Sequence, residues 1–212
     1  MTKEDFLFLI GDEPGTDAAF VDSFLAKKKN PYLHYIDFRK GLIDTGSAEP
    51  KIVVSPFGGA VQNENGLVVS GVSQGATLGN CKFQKNHEYT FGVSTIAYPS
   101  ASGHKRFITS GVSSGYNDSG LIFRSTGKWA VYDTTNGWQE SNITDPTFFK
   151  DSLVSIYIDD SGKWHIRKNG TDVFVTPIAV PTMTNNIQIG SGAGNSYYAV
   201  VITYFSEVEV TP

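Results

Sequence analysis

The stretch Ser155–Thr171, SIYIDDSGKWHIRKNGT, decides the fold. Around its start, Val154, Ile156 and Ile158 alternate with Ser155, Tyr157 and Asp159, the period-two pattern of a strand with one buried face. Asp160-Ser161-Gly162 supplies a turn. A second strand follows, with Trp164 and Ile166 on one side and His165 and Arg167 on the other. It ends at Asn169-Gly170, the dipeptide that most readily takes positive φ at both central positions of a two-residue hairpin. Two consecutive hairpins, each with one apolar face, predict an antiparallel β protein. They carry no chemistry.

The same pattern continues on both sides. Tyr89, Phe91 and Val93 alternate with Thr90, Gly92 and Ser94. Leu121 and Phe123 lead through Ser125-Thr126-Gly127 into Trp129 and Val131. At the end of the chain Val200, Ile202, Tyr204, Val208 and Val210 are set against Thr203, Glu207 and Glu209. Turn signals recur at Pro56–Gly59, Asn65-Gly66, Asn136-Gly137 and Gly190–Gly192. Many short strands at this spacing, with almost no helical periodicity after Pro31, predict a two-sheet sandwich or barrel.

The chain has 212 residues, 40% apolar and 18% charged, with 22 Gly, 14 Phe and 10 Tyr, which suits one turn-rich β core. A net charge of -4 gives no basic nucleic-acid footprint. Cys81 is the one cysteine, so no internal disulfide forms, and it reads as a small buried hydrophobe. The apolar run Phe6–Ile10 lies behind Glu4 and Asp5 and is too short for a signal peptide or membrane span, so synthesis in the cytosol without general export is expected. The sequons at Asn117, Asn142 and Asn169 then count as chance matches.

Residues 1–31 differ in composition. Thr2 can cap a first helical turn, and Thr16 or Asp17 a second segment that ends in Lys27-Lys28-Lys29. Phe20, Val21, Phe24 and Leu25 form one apolar stripe, and Asn30-Pro31 stops the helix. Such a helix either covers the domain's own surface or anchors it to a partner through Phe6, Leu9, Phe20 and Phe24.

The order of segments carries a resemblance. NENGLVVSGVSQGATL (Asn63–Leu78), HEYTFGVSTIAY (His87–Tyr98), GLIFRSTGKWAVYD (Gly120–Asp133), DSLVSIYIDDSGKWHIRKNGTDV, NNIQIGSGAG (Asn185–Gly194) and YYAVVITYFSEVEV follow one another. Together they resemble the concanavalin A-like lectin/glucanase superfamily in its laminin-G-like form, over about Tyr32–Pro212. The resemblance implies a jelly roll of two antiparallel sheets with a rim of loops. It also implies glycan or protein binding at the rim, calcium in some members, and hydrolysis of β-glucans in one branch. Similar modules occur in bacteriophage virions.

Glycosidases need two facing carboxylates. The glucanase-type E-x-D-x-x-E arrangement is absent. Glu207 and Glu209 share a strand face but read equally as solvated charges on an edge strand. There is no Gly-x-Ser-x-Gly and no His-Glu-x-x-His. Ser125–Lys128 reads as a hairpin turn rather than a phosphate loop, and His34, His87, His104 and His165 each sit beside a different strand.

Sugar binding needs an aromatic plane with nearby Asp, Asn or backbone groups. Three loops offer it: Tyr116, Asn117 and Asp118; Asp133, Asn136 and Trp138; and Asn195 with Tyr197. Asp44, Asp118 and Asp133 are the candidates for calcium, and no other cofactor is expected.

The combined expectation is an all-β, two-sheet antiparallel jelly-roll sandwich (32–212) behind a short helical N-terminal extension or anchoring arm (1–31). The expected role is a non-catalytic binding or structural module of a phage virion, made in the host cytoplasm: a fibre, spike or capsid decoration that presents a lectin-like domain to host surface glycans. Other virion proteins would meet the N-terminal segment, and a homo-oligomer is expected, with no nucleic acid and no membrane span. The alternatives are a carbohydrate-binding protein of the bacterial cell surface and a polysaccharide-degrading, glucanase-like enzyme.

Overall fold

A computed structural model describes residues 31–71, 73–97, 104–110, 119–181, 183, 185–190 and 199–210. The predicted N-terminal helices lie outside the described residues, which form strands and turns and no helix. In chain order the strands are β1 (His34–Asp37), β2 (Val53–Phe57), β3 (Val61–Asn63), β4 (Gly66–Val69), β5 (Gly75–Gly79), β6 (His87–Ala97), β7 (Lys105–Ser110) and β8 (Ser119–Phe123). There follow β9 (Trp129–Asp133), β10 (Gly137–Glu140), β11 (Ser152–Ile158), β12 (Trp164–Lys168), β13 (Thr171–Val175), β14 (Ile187–Gly190) and β15 (Ala199–Glu209).

One sheet has the order β13-β12-β11-β6-β15-β4-β3, with β1 also paired to β15; the other runs β10-β9-β8-β7-β14-β5-β2. Their pairings are antiparallel. The predicted two-sheet sandwich is the observed one. Alternation drives it: Val154, Ile156 and Ile158 on β11, Trp164 and Ile166 on β12, and Tyr89, Phe91 and Val93 on β6 point into one shared core. Trp164 packs on Phe83 at 4.7 Å between ring centres, and Trp129 on Phe149 at 4.8 Å. Asn169 and Gly170 take φ of 52° and 81°, the two positive values that the hairpin between β12 and β13 demands. Gly127, at φ 81°, closes the turn between β8 and β9, so Ser125–Lys128 is a hairpin turn as read from sequence.

The last strand departs from its predicted alternation. Its register against β6 shifts between Val201 and Ile202 and again between Ile202 and Tyr204. Val200 and Ile202 face the core, but beyond the irregularity the inward residues are Phe205 and Glu207, while Tyr204 turns outward. A bulge changes which parity faces the core, and local sequence patterning carries no signal of it. Nor is β15 an edge strand: it pairs with β6, β4 and β1. The expectation that Glu207 is a solvated edge charge is therefore corrected. Glu207 is buried, and Glu209 at the strand end is exposed.

Candidate functional site

The outer face of the eight-stranded sheet carries a trough made of two adjoining concavities. One, of about 330 Å³, is bounded by Ser94 on β6, Leu153 on β11, Asp151 before it, Asn169 at the β12–β13 turn and Thr203 on β15. The other, of about 540 Å³, is bounded by Arg39, by Asn63, Glu64 and Asn65 of the β3–β4 turn, and by Val68, Ser94, Thr95, Val201 and Thr203. Ser94 and Thr203 belong to both. Alternation puts Ser94, Val201 and Val68 outward between buried Val93, Ile202, Leu67 and Val69, and the register shift of β15 against β6 at Val201/Ile202, which skips Ser94, leaves the adjacent Thr95 outward as well.

Gly92 sets the depth of the floor. A Cβ there would lie 2.4 Å from Thr203 Oγ1 and 2.6 Å from the Tyr204 ring. The missing side chain lets that ring lie close against the β6 backbone. Tyr204 is followed by Tyr35 at 6.0 Å and then Tyr32 at 5.2 Å, giving a stacked tyrosine ladder beside the trough. Burial, and then the neighbouring Tyr32 and Tyr35, push the Tyr204 hydroxyl above the ordinary tyrosine range, so it stays a neutral donor.

Charges around the trough are committed unevenly. Arg39 grips Asp37 with two prongs, Nε to Oδ1 at 2.9 Å and Nη2 to Oδ2 at 3.2 Å, and Lys40 reaches the same carboxylate at 3.5 Å. The Arg39 hydrogen bond holds Asp37 below the usual carboxylate range. Farther along the face, Arg167 bonds Glu88 and Asp172 and lies 4.8 Å over the Tyr157 ring; His165 bridges Asp172 and Asp159.

The residues singled out from sequence fall in different places. Tyr116, Asn117, Asp118, Asn195 and Tyr197 lie outside the described residues, as do Phe6, Leu9, Phe20 and Phe24. Asp133 is buried at the β9–β10 turn, where its carboxylate accepts the Thr135 and Asn136 N–H groups, the Asn136 amide and the Gln139 amide. Asn136 also reaches the Ala179 carbonyl at 3.0 Å. Both residues build the turn. Trp138 is half-buried on the outer face of the seven-stranded sheet, not a cap on the core. Tyr132, His104 and the Arg124 guanidinium lie 4.6, 4.5 and 4.6 Å from its ring centre. Arg124 is in turn paired with Glu140, which Lys128 also approaches.

Asp44 is fully occupied as well. Its oxygens accept the N–H groups of Tyr35, Gly46 and Ile52 and His34 Nδ1, the last at 2.6 Å. Burial raises its pKa, but these four bonds outweigh it and leave the carboxyl below the ordinary range. No lone pair on Asp44 or Asp133 is left over for a calcium ion.

The histidines are less scattered than their strands suggest. His87 Nδ1 bonds Glu207 Oε1 at 2.7 Å, His34 Nε2 lies 4.0 Å from Oε2, and the Cys81 thiol points at Oε2 from 3.5 Å. Burial first, and then the Glu207 charge, push the Cys81 thiol far up, so it is an inert donor. This inward cluster depends on the β15 bulge. The trough residues Asn63, Asn65, Ser94 and Thr203 were likewise missed as a site. Asn63 and Asn65 were visible in the NENG turn, and the outward Ser94 in its strand's alternation, but nothing local marked them as one surface.

No family model and no curated protein matches the sequence. Solved structures do match in fold. A Trypanosoma rangeli sialidase in complex with sialic acid aligns with a TM-score of 0.58 at 13% identity, over 84% of this chain and 31% of that one. The same sialidase with 2,3-difluorosialic acid gives 0.57 at 14%, over 86% and 31%. The receptor binding domain of botulinum neurotoxin D gives 0.59 at 14%, over 86% and 50%. The chain thus spans about a third of the sialidase and half of the toxin domain. The likeness establishes the β-sandwich fold. It also corrects the expectation of a module without catalysis, because chains sharing this sandwich include sialidases, which are enzymes. Among the described residues no helix is long and apolar enough to cross a membrane.

Proposed function

We propose that this chain binds glycans along the trough of the eight-stranded sheet. The observation that carries the reading is the continuity of the two concavities through Ser94 and Thr203. Amides and hydroxyls line the trough over the apolar floor of Val68 and Val201, the combination that a sugar's hydroxyls and C–H faces need. Tyr204 and Tyr35 stand beside it as aromatic surface. Neighbours in complex with sialic acid, or serving as a receptor binding domain, support the same class of role.

The proposed setting is the outside of a particle or cell. There residues 1–31 attach the module through Phe6, Leu9, Phe20 and Phe24, in a homo-oligomeric virion fibre, spike or capsid decoration. Tyr116, Asn117 and Asp118, with Asn195 and Tyr197, are proposed as further contacts.

A glycan array probed with the full chain tests the reading, with chromatography of each bound glycan to detect cleavage. Binding that falls at least about tenfold in Ser94→Leu, a solvent-side change expected to move stability by only about 0.5 kcal/mol, supports the trough. A blank array, or binding indifferent to Ser94→Leu, refutes it.

A further inference from the structure

We infer that the trough selects extended, uncharged glycan chains and discriminates against carboxylated or sulfated ones; this deepens the glycan-binding reading and rests on it. The first ground is charge. Among the described lining residues stand one cation, Arg39, and two carboxylates, Glu64 and Asp151. Arg39 spends Nε–H and one Nη2–H on Asp37, so that carboxylate already offsets its charge. Glu64 has no cation paired with it among the described residues, and Asp151 has only exposed Lys150 at 4.0 Å. An anionic sugar would meet two carboxylates against one guanidinium whose charge Asp37 already offsets. Amides and hydroxyls, by contrast, are the donors and acceptors that neutral hydroxyls use.

The second ground is length. The lining runs from Asn169 and Leu153 across β6, β15 and β4 to Asn63 at the end of β3. Five neighbouring strands, from β11 to β3, span about 19 Å at the usual strand spacing, a chain of sugars rather than one. Affinity should therefore climb with the number of units.

Calorimetric titration of the full chain tests this. The probes are glucose, galactose and mannose oligomers of one to six units and the same oligomers oxidised to carboxylates at C6. The expected result is affinity rising over the first several units, with the oxidised form weaker by at least about tenfold. In the double variant Glu64→Gln with Asp151→Asn the gap between neutral and oxidised oligomers should shrink to about threefold or less; Asn tolerates the positive φ of 51° at that site. Equal or tighter binding of the oxidised forms would overturn the inference while leaving glycan binding intact. So would a gap that the double variant does not move, or a monosaccharide that binds as well as the chains. If no oligomer of either kind binds, the glycan-binding reading itself falls, and this selectivity with it.

Discussion

At Asp44 one carboxylate terminates three backbone N–H groups and one imidazole, joining the β1 strand to the chain that enters β2. Removing it leaves four buried donors facing nothing, and an unmade buried hydrogen bond costs roughly 1–3 kcal/mol each before relaxation. Asp44→Ala should therefore destabilise by about 3–5 kcal/mol in urea unfolding. A loss under about 1 kcal/mol would mean the site is wetter or looser than described. Acid should act through the same groups. Asp44, Asp159 and Asp172 each titrate below the ordinary aspartate range: burial pushes them up, but hydrogen bonds from backbone N–H groups, from the Ser161 hydroxyl, and from His165 and Arg167 outweigh it. A depressed carboxyl contributes stability that is complete above its unfolded value and disappears as pH falls through its lower folded value. The melting temperature should stay level above about pH 5 and decline below about pH 4; a decline beginning near pH 6 would point to the histidines instead. Gly92 is the other decisive residue. Gly92→Ala should cost about 1–3 kcal/mol through the overlap with Thr203 and Tyr204, and should weaken any ligand in the trough.

Hairpins are the elements that sequence reading recovered best, because their signals are local. Asn169-Gly170 names its own turn, and Gly170→Val should lower stability by about 1–3 kcal/mol, with Gly170→Asn milder, since Asn tolerates φ near 81°. Equal denaturation midpoints for the two variants would contradict the assigned turn. The long final strand shows where such reading stops. Tyr204 sits at even spacing from Val200 and Ile202, and only the bulge, fixed by pairing with β6, sends its ring outward and Glu207 inward. Long-range pairing also brings His34, Cys81 and His87 to Glu207, across as many as 173 positions of sequence. Asp133 and Asn136, chosen as sugar contacts for their residue type, serve the local turn that the same residue types favour. Trp138 was chosen as the aromatic plane for a sugar. Its ring, however, packs against Tyr132, His104 and Arg124 on the opposite sheet.

Over the whole molecule, period-two patterning sorts the side chains into a sandwich with one shared aromatic core, and the solved structures of similar fold agree with it. That fold is compatible with an enzyme as well as a binding module, as the sialidases demonstrate, so activity has to be read from the surface. If 1–31 is a separate arm, a 32–212 fragment should unfold in urea at the full-length midpoint, within error; a fall in midpoint would make the arm part of the domain. The central claim is that the work is done on the outer face of the eight-stranded sheet. Amide chemical-shift mapping of the full chain with a saturating neutral oligosaccharide addresses it most directly. The account predicts shifts concentrated at Asn63, Asn65, Ser94, Thr95, Val201 and Thr203. Shifts confined to the Trp138 face, or to residues 111–118 and 191–198, would contradict it.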